Sequence, residues 1–318
     1  TAFGYLEKML PIMKENGYAF LLTRESLLGL RDPEVVYPLL IAAKQNNVET
    51  DFVRSILSSR GVDDLSYHPG YSLWVQTFRK FQVWRGNQAI DDQDWKREKA
   101  RQLFQLLVGY RDRWLSRDQI IEILWGDTPV ENAANYLKVV LSTLNQVLEP
   151  DRPKDEPAFF IERNQDRYRL NPKARILCDA DLFVQLMNED TIPSLSRAAN
   201  LYRGHYFEDS KIQEWLMIED QYYHQQYLLG MDSLISKLRS EKRFEEALDF
   251  TYKVLSIDPM WESAYRAQMR IFHALERPSM VRKVYNQCQE VIHNQMDLQV
   301  SQETVELYDA LMRNSATA

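Results

Sequence analysis

Residues 116–148 read SRDQIIEILWGDTPVENAANYLKVVLSTLNQVL and carry two helix-start signals twelve positions apart. Ser116 with Gln119, and Thr128 with Glu131, each have the spacing of a capping box, in which two side chains satisfy backbone groups at a helix start reciprocally. Leu115 with Ile120 fits the accompanying hydrophobic staple, and Pro129 stands at a first helical position, where its missing N–H costs nothing. The spacing predicts one helix from 117 to near Gly126 and a second from 129 with no stop signal before Pro150. Some twenty residues at about 1.5 Å each make a rod of roughly 30 Å. Leu137, Leu141, Leu144 and Leu148 fall on one side of that rod, and Asn135, Lys138, Val139, Ser142 and Gln146 on the other. A short helix, a tight turn and a longer helix with a small polar outer face form the pattern of a helix-turn-helix whose second helix is shaped to enter a groove.

The flanks extend that pattern. EPDRPKDEP (149–157) is a loop, and FFIERNQDRYRL (159–170) predicts two strands around an Asn-Gln-Asp turn. Alternation puts Tyr168 and Leu170 on one face and Arg167 and Arg169 on the other, with Arg163 joining them across the hairpin: a wing suited to a phosphate backbone. Upstream, WKREKARQLFQLLVGY (95–110) lines Ala100, Leu103, Leu106 and Leu107 along one helical face. Its first turn carries Lys96, Arg97 and Lys99, where the helix dipole disfavours cations, so these need an external anion or an acidic neighbour. LWVQTFRKFQVWRGNQAI (73–90) alternates and is rich in β-formers, and SYHPGY (66–71) is a linker. Residues 33–47 and 49–61 predict short helices, the second through Phe52, Ile56 and Leu57 with Gly61 placed to end it.

From 178 onward the pattern is helical. RFEEALDFTYKVLSIDP sets Ala247 and Pro259 twelve positions apart, their spacing within one 34-residue tetratricopeptide unit, and Val281 lies a further 34 residues on from Ala247. Such hairpins bury their apolar faces only by stacking on neighbours. The fold class predicted is mainly α with a small β component: a winged helix-turn-helix domain over 72–172 and an α-solenoid domain over 176–318, preceded by a helical segment over 1–65.

The rest of the sequence excludes several functions. No run of 18 apolar residues exists and Glu7 and Lys8 interrupt the opening, so neither a membrane span nor a secretory signal is expected and a cytoplasmic location is. Thr1 in place of a methionine points to a processed product or a piece of a longer protein. Cys178 and Cys288 lack disulfide-framework or metal spacing and are expected to be small buried apolar residues. His68, His205, His224, His273 and His293 are scattered, and no G-x-x-x-x-G-K-[ST], H-E-x-x-H or G-x-S-x-G occurs, so no enzyme, cofactor or metal is expected. Trp74, Trp84, Trp114, Trp125 and Trp215 sit at helix or strand spacing and are expected in the core. Net charge is −7, but 16 cations meet 15 anions over 71–172 while 16 meet 22 over 173–318, so the middle third alone faces a polyanion without strong penalty.

WKREKARQLFQLLVGYRDRWLSRDQIIEILWGD, ENAANYLKVVLSTLNQVLEP and FIERNQDRYRLNP together resemble the OmpR-type winged helix of SARP-like bacterial regulators. CDADLF (178–183), LYRGHYFEDSKIQEW (201–215), the RFEEAL…DP segment and SQETVELYDAL (301–311) resemble the bacterial transcriptional activation domain that follows it there. Residues 1–65 are similar to the end of the helical sensor region in large ATP-dependent (STAND-type) members. The resemblance implies a transcription activator with double-stranded DNA and RNA polymerase as partners, bound as a homodimer or in tandem. It puts groove-facing positions at Asn135, Lys138, Ser142 and Thr143, and wing arginines at Arg167 and Arg169. Members often carry arginines along this helix, whereas Lys138 is the one cation between Pro129 and Pro150, which turns expectation from Arg–guanine pairs toward Asn135 on adenine and shape readout. The acidic last third suits a rival reading, a helical-repeat adaptor whose winged helix binds protein.

Overall fold

In the computed structural model, residues 2–23, 30–126, 130–211 and 213–315 are described. Helices α1 (Ala2–Glu15), α2 (Phe20–Thr23), α3 (Tyr37–Gln45) and α4 (Thr50–Ser58) bury Leu6, Leu10, Leu40, Ile41, Val53 and Leu57 in a common core. A 3₁₀ turn, Pro33–Val36, leads into α3, and its N-cap Asp32 accepts the Glu34 N–H. Gly61 ends α4 as expected: its φ of +67° lets the Val62 N–H reach back to the Leu57 carbonyl at 3.1 Å.

The alternating segment forms antiparallel strands β1 (Leu73–Gln76), β2 (Gln82–Arg85) and β3 (Gln88–Ile90). Leu73, Val75, Val83 and Ile90 are buried, while Trp74 and Trp84 lie directly opposite each other and are half-buried. The helices and strands that follow are α5 (Glu98–Gly109), β4 (Leu115–Ser116), α6 (Arg117–Trp125), α7 (Val130–Leu148), β5 (Ile161–Asn164), β6 (Arg167–Leu170) and β7 (Ile176–Cys178). β7 adds in parallel to β1, giving the order β3-β2-β1-β7, and β4 pairs with the hairpin in a second sheet, β4-β6-β5.

α5 buries Ala100, Leu103, Leu106 and Leu107 as its periodicity predicts. The first capping box is formed: Ser116 Oγ accepts the Gln119 N–H at 3.2 Å, and Gln119 Oε1 accepts the Ser116 N–H at 2.9 Å. Gly126 closes α6 differently from expectation, since its φ of −43° is right-handed and no left-handed glycine cap forms. The second expected box lies outside the described residues, at Thr128, Pro129 and the side chain of Glu131. In α7 the buried stripe runs through Ala133, Leu137, Val140, Leu144 and Val147 to Leu148. Leu141, expected on that stripe, is half-buried at its margin, because the two valines draw the core side of the helix toward themselves. The tryptophan expectation is likewise corrected: Trp74, Trp84, Trp114 and Trp125 are half-buried and Trp215 is 44% exposed, whereas Trp95 is the buried one. Strand alternation puts Trp74 and Trp84 on the outer side of their sheet, opposite its core residues.

Contacts gather Thr1–Cys178 with Asp209–Met217 into one unit and Asp179–Glu208 with Ile218–Ala318 into another. The returning segment of the first unit is tied in by Asp209, which accepts the Phe81 N–H at 3.0 Å and pairs with Arg101 at 2.8 Å. Its Leu216 fills the space over Gly109, where an added Cβ would stand 2.7 Å from a Leu216 methyl.

The second unit is wholly helical over its longer elements: α8 (Asp179–Glu189), α9 (Ile192–Leu201), α10 (Met217–Ser240, from Ile218 on), α11 (Phe244–Ile257), α12 (Glu262–Ala274), α13 (Pro278–Met296) and α14 (Gln302–Ser315). Ala247 and Val281, the residues set 34 apart, are both fully buried, each on the first helix of a hairpin. Tyr265, Met269, Val281, Val284, Cys288 and Ile292 join the hairpins in one core. The observed class is mainly α with small sheets, a winged helix followed by a helical-repeat unit, as the sequence predicts.

Candidate nucleic-acid interface

α7 turns away from its core a face of small polar groups. Asn135, Lys138 and Ser142 are exposed, and their side chains have no hydrogen-bond or ion-pair partner among the described residues. Thr143 is half-exposed, and its hydroxyl donates to the Val139 carbonyl one turn back at 2.9 Å, leaving its oxygen free to accept. On the same side Tyr136 and Val139 are 52% and 46% exposed.

The far end of α7 is pinned by groups from outside the helix. Tyr71 Oη donates to the Leu148 carbonyl at 2.7 Å and Arg85 Nη1 to the Val147 carbonyl at 3.3 Å, so two of the carbonyls that a helix end leaves unpaired are satisfied. Glu149 follows, buried, its Oε1 accepting the N–H groups of Phe159 and Phe160 at 2.9 and 3.1 Å. Burial raises its carboxyl pKa above the usual range, against the pull of those two amides and of Arg152, 3.6 Å away. One carboxylate thereby fixes the root of the hairpin to the end of the helix.

The linker is structured too. His68 is buried against Tyr37 and Phe159, with ring centroids 5.1 and 4.4 Å away. Its Nδ1 accepts the Gly70 N–H at 3.0 Å, and its Nε2 stands 2.9 Å from Glu34 Oε2. Asp32 accepts both the N–H and the hydroxyl of Ser72, and Lys173 binds the carboxylate of Asp64. The N-terminal helices thus hold the linker and the hairpin base through polar contacts that sequence inspection does not reveal.

The hairpin presents its arginines differently from one another. Register pairs Glu162 with Arg169, Arg163 with Tyr168 and Asn164 with Arg167. Residues directly opposite in an antiparallel pair share a face, so Arg163 lies on the Tyr168 face and not with Arg167 and Arg169 as expected. The odd-residue arithmetic that works along one strand fails across the turn, because the turn sets the register. Arg163 is exposed, stacks 5.7 Å over the Tyr168 ring, and lines a groove of about 530 Å³ between hairpin and α7 together with Lys138, Leu141, Ser142, Asn145 and Arg152. Arg167 is exposed with no side-chain partner among the described residues. Arg169 is engaged, 2.8 Å from Glu162 Oε2 and 4.3 Å over the Trp114 ring.

Two of the three cations at the start of α5, Lys96 and Lys99, find partners within the fold instead of an outside anion, and Arg97 is exposed with no side-chain partner among the described residues. Lys99 donates to the Leu124 carbonyl at the negative end of α6 and lies 5.7 Å over Trp125, and burial pulls its ammonium pKa below the usual range. Lys96 donates to Gln146 Oε1 of α7 at 3.1 Å. Tyr136 is the exposed residue that the polar pattern passes over, its only signal being an aromatic on a helix flank. No helix of the described residues is long and apolar enough to cross a membrane.

Two family models match the sequence in order. "Transcriptional regulatory protein, C terminal" covers 95–164, from just before α5 to the end of β5, and "Bacterial transcriptional activator domain" covers 185–312. The fold is similar to that of EmbR from Mycobacterium tuberculosis, solved in complex with a low-affinity phosphopeptide, at 16% identity and a TM-score of 0.63 over 77% of this chain. The match spans 65% of that chain's length, and at this identity it speaks for the fold alone. No curated protein matches the sequence. The chain carries the winged-helix and activator domains of transcription regulators, the domain content of the SARP type.

Proposed function

We propose that this is a sequence-specific DNA-binding transcription activator. α7 enters the major groove with Asn135, Lys138, Ser142 and Thr143 toward the bases, and the β5–β6 hairpin lies on the backbone or in the minor groove. The modules are a DNA-binding domain over 72–172 and a bacterial transcriptional activation domain over 176–318, the latter supplying dimer or RNA polymerase contacts. Residues 1–65 are the end of a sensor region of an ATP-dependent regulator, and the protein works in the cytoplasm.

The observation that carries this reading is the partnerless polar face of α7, rigidly capped at its far end and flanked by Arg163 and Arg167. Phosphate contacts position and base contacts specify, and this surface offers both kinds of group. Arg163, facing α7 across the groove, suits a phosphate between helix and hairpin, while Arg167 suits one beyond the hairpin. Fluorescence anisotropy on duplex DNA tests the reading: log affinity falls with log salt by about 0.9 for each phosphate neutralised. Absence of binding at low salt refutes it and leaves the adaptor reading, which the acidic residues 173–318 favour.

A further inference from the structure

The outer face of α7 is not uniformly polar. At 3.6 residues per turn, Asn135, Val139, Ser142 and Gln146 succeed one another along a single line, and all four are exposed. Val139 stands in the middle of that line, between Asn135 one turn before and Ser142 one turn after. Tyr136 flanks it, and both border a depression of about 450 Å³ that Trp125 and Val140 also line. Valine is a poorer helix former than the alanine, lysine or glutamine that a solvated face tolerates, and Val139 leaves about half its surface in water. Its place is explained neither by the core nor by helix propensity.

The apolar group that base edges show in the major groove is the C5-methyl of thymine. Resting on the reading of α7 as the groove-entering helix, we infer that Val139, with Tyr136 beside it, reads thymine by packing against that methyl. Base preference then comes from an apolar contact next to the Asn135 amide, which suits adenine N6 and N7. Lys138, the one cation of α7, adds an attraction that does not depend on the thymine methyl. The expected site has thymine at one or two positions per α7, close to an adenine.

The experiment uses the full chain and a duplex recovered by selection, in which each thymine in turn is replaced by deoxyuridine, removing the methyl and nothing else. One or two replacements weaken binding about fourfold, the worth of one buried methyl-sized group. Val139→Ala binds the unmodified duplex more weakly by a similar factor and responds to the same replacements less than twofold. Lys138→Ala weakens all duplexes alike and keeps the deoxyuridine penalty. Tight binding with no sensitive thymine, or a full penalty retained by both Val139→Ala and Tyr136→Ala, overturns the inference while DNA binding stands. Failure to bind any duplex overturns both.

Discussion

Truncating Leu144 and Leu141 of α7 separately tests which side of that helix is core. Leu144 is 0% exposed, so Leu144→Ala removes three carbons from a site closed on all sides. At about 0.8 kcal/mol per buried methylene the transfer loss is roughly 2.4 kcal/mol, and the void adds about 24 cal/mol per Å³ left unfilled, for a total of about 3 to 5 kcal/mol. Leu141 is half-buried and borders the groove beneath Arg163, so its truncation widens a space already open to water. There the expected loss is about 1 kcal/mol, with no closed void to add to it. Urea unfolding followed by tryptophan fluorescence reads the difference as midpoint shifts at unchanged slope; at about 1–3 kcal/mol per molar urea, Leu144→Ala moves the midpoint by about 1 M or more. Equal shifts, or a larger one for Leu141→Ala, would mean that α7 is rotated. The line through Asn135 and Ser142 would then face the body of the domain, and the reasoning about DNA would fall with it.

Three further outcomes follow from side chains described above. Arg167→Ala lowers the salt slope of DNA binding by about 0.9, whereas Arg169→Ala, removing an arginine already spent on Glu162 and Trp114, leaves the slope near native; anisotropy titrations of both variants compare them. Because burial raises the Glu149 carboxyl, the native state holds its proton to higher pH than the unfolded chain does, so stability falls as pH rises from the ordinary value near 4.5 through the folded value. Glu149→Gln removes that fall, and urea midpoints across pH should show the variant gaining on the native protein up to a plateau; a constant difference refutes the assignment. The Cys288 thiol is pushed up to about 12 by burial, and Cys178 is buried too, so a thiol-specific reagent at pH 8 labels neither in the native protein and both in urea.

What the sequence made legible was whatever is fixed locally. Ser116 and Gln119 stand three positions apart and form their box with no help from elsewhere, and the 34-residue step from Ala247 to Val281 falls on two fully buried positions. Asn135, Lys138 and Ser142 are outside because a polar run on a 3.6 period has few other places to go. What the sequence hid depends on partners distant along the chain. Arg163 changed face because a turn fixed the register, and Leu141 slid to the margin because Val140 and Val147 competed for the core. Lys99 found a helix end 25 residues away instead of an anion. Glu149 sits in EPDRPKDEP, a string that reads as solvated loop, and is buried because two backbone amides ten residues on require an acceptor.

The returning segment Asp209–Met217 bears on how such regulators can be recombined. A hybrid joined just after Cys178 would inherit α5, with Gly109 bare and Arg101 lacking Asp209, from one parent, and from the other whatever residues follow the second helix of the activator half. The chain passes from one unit to the other three times, after Cys178, Glu208 and Met217. Exchange of partners therefore requires that Leu216 and the Gly109 it covers be inherited together, although they stand 107 positions apart.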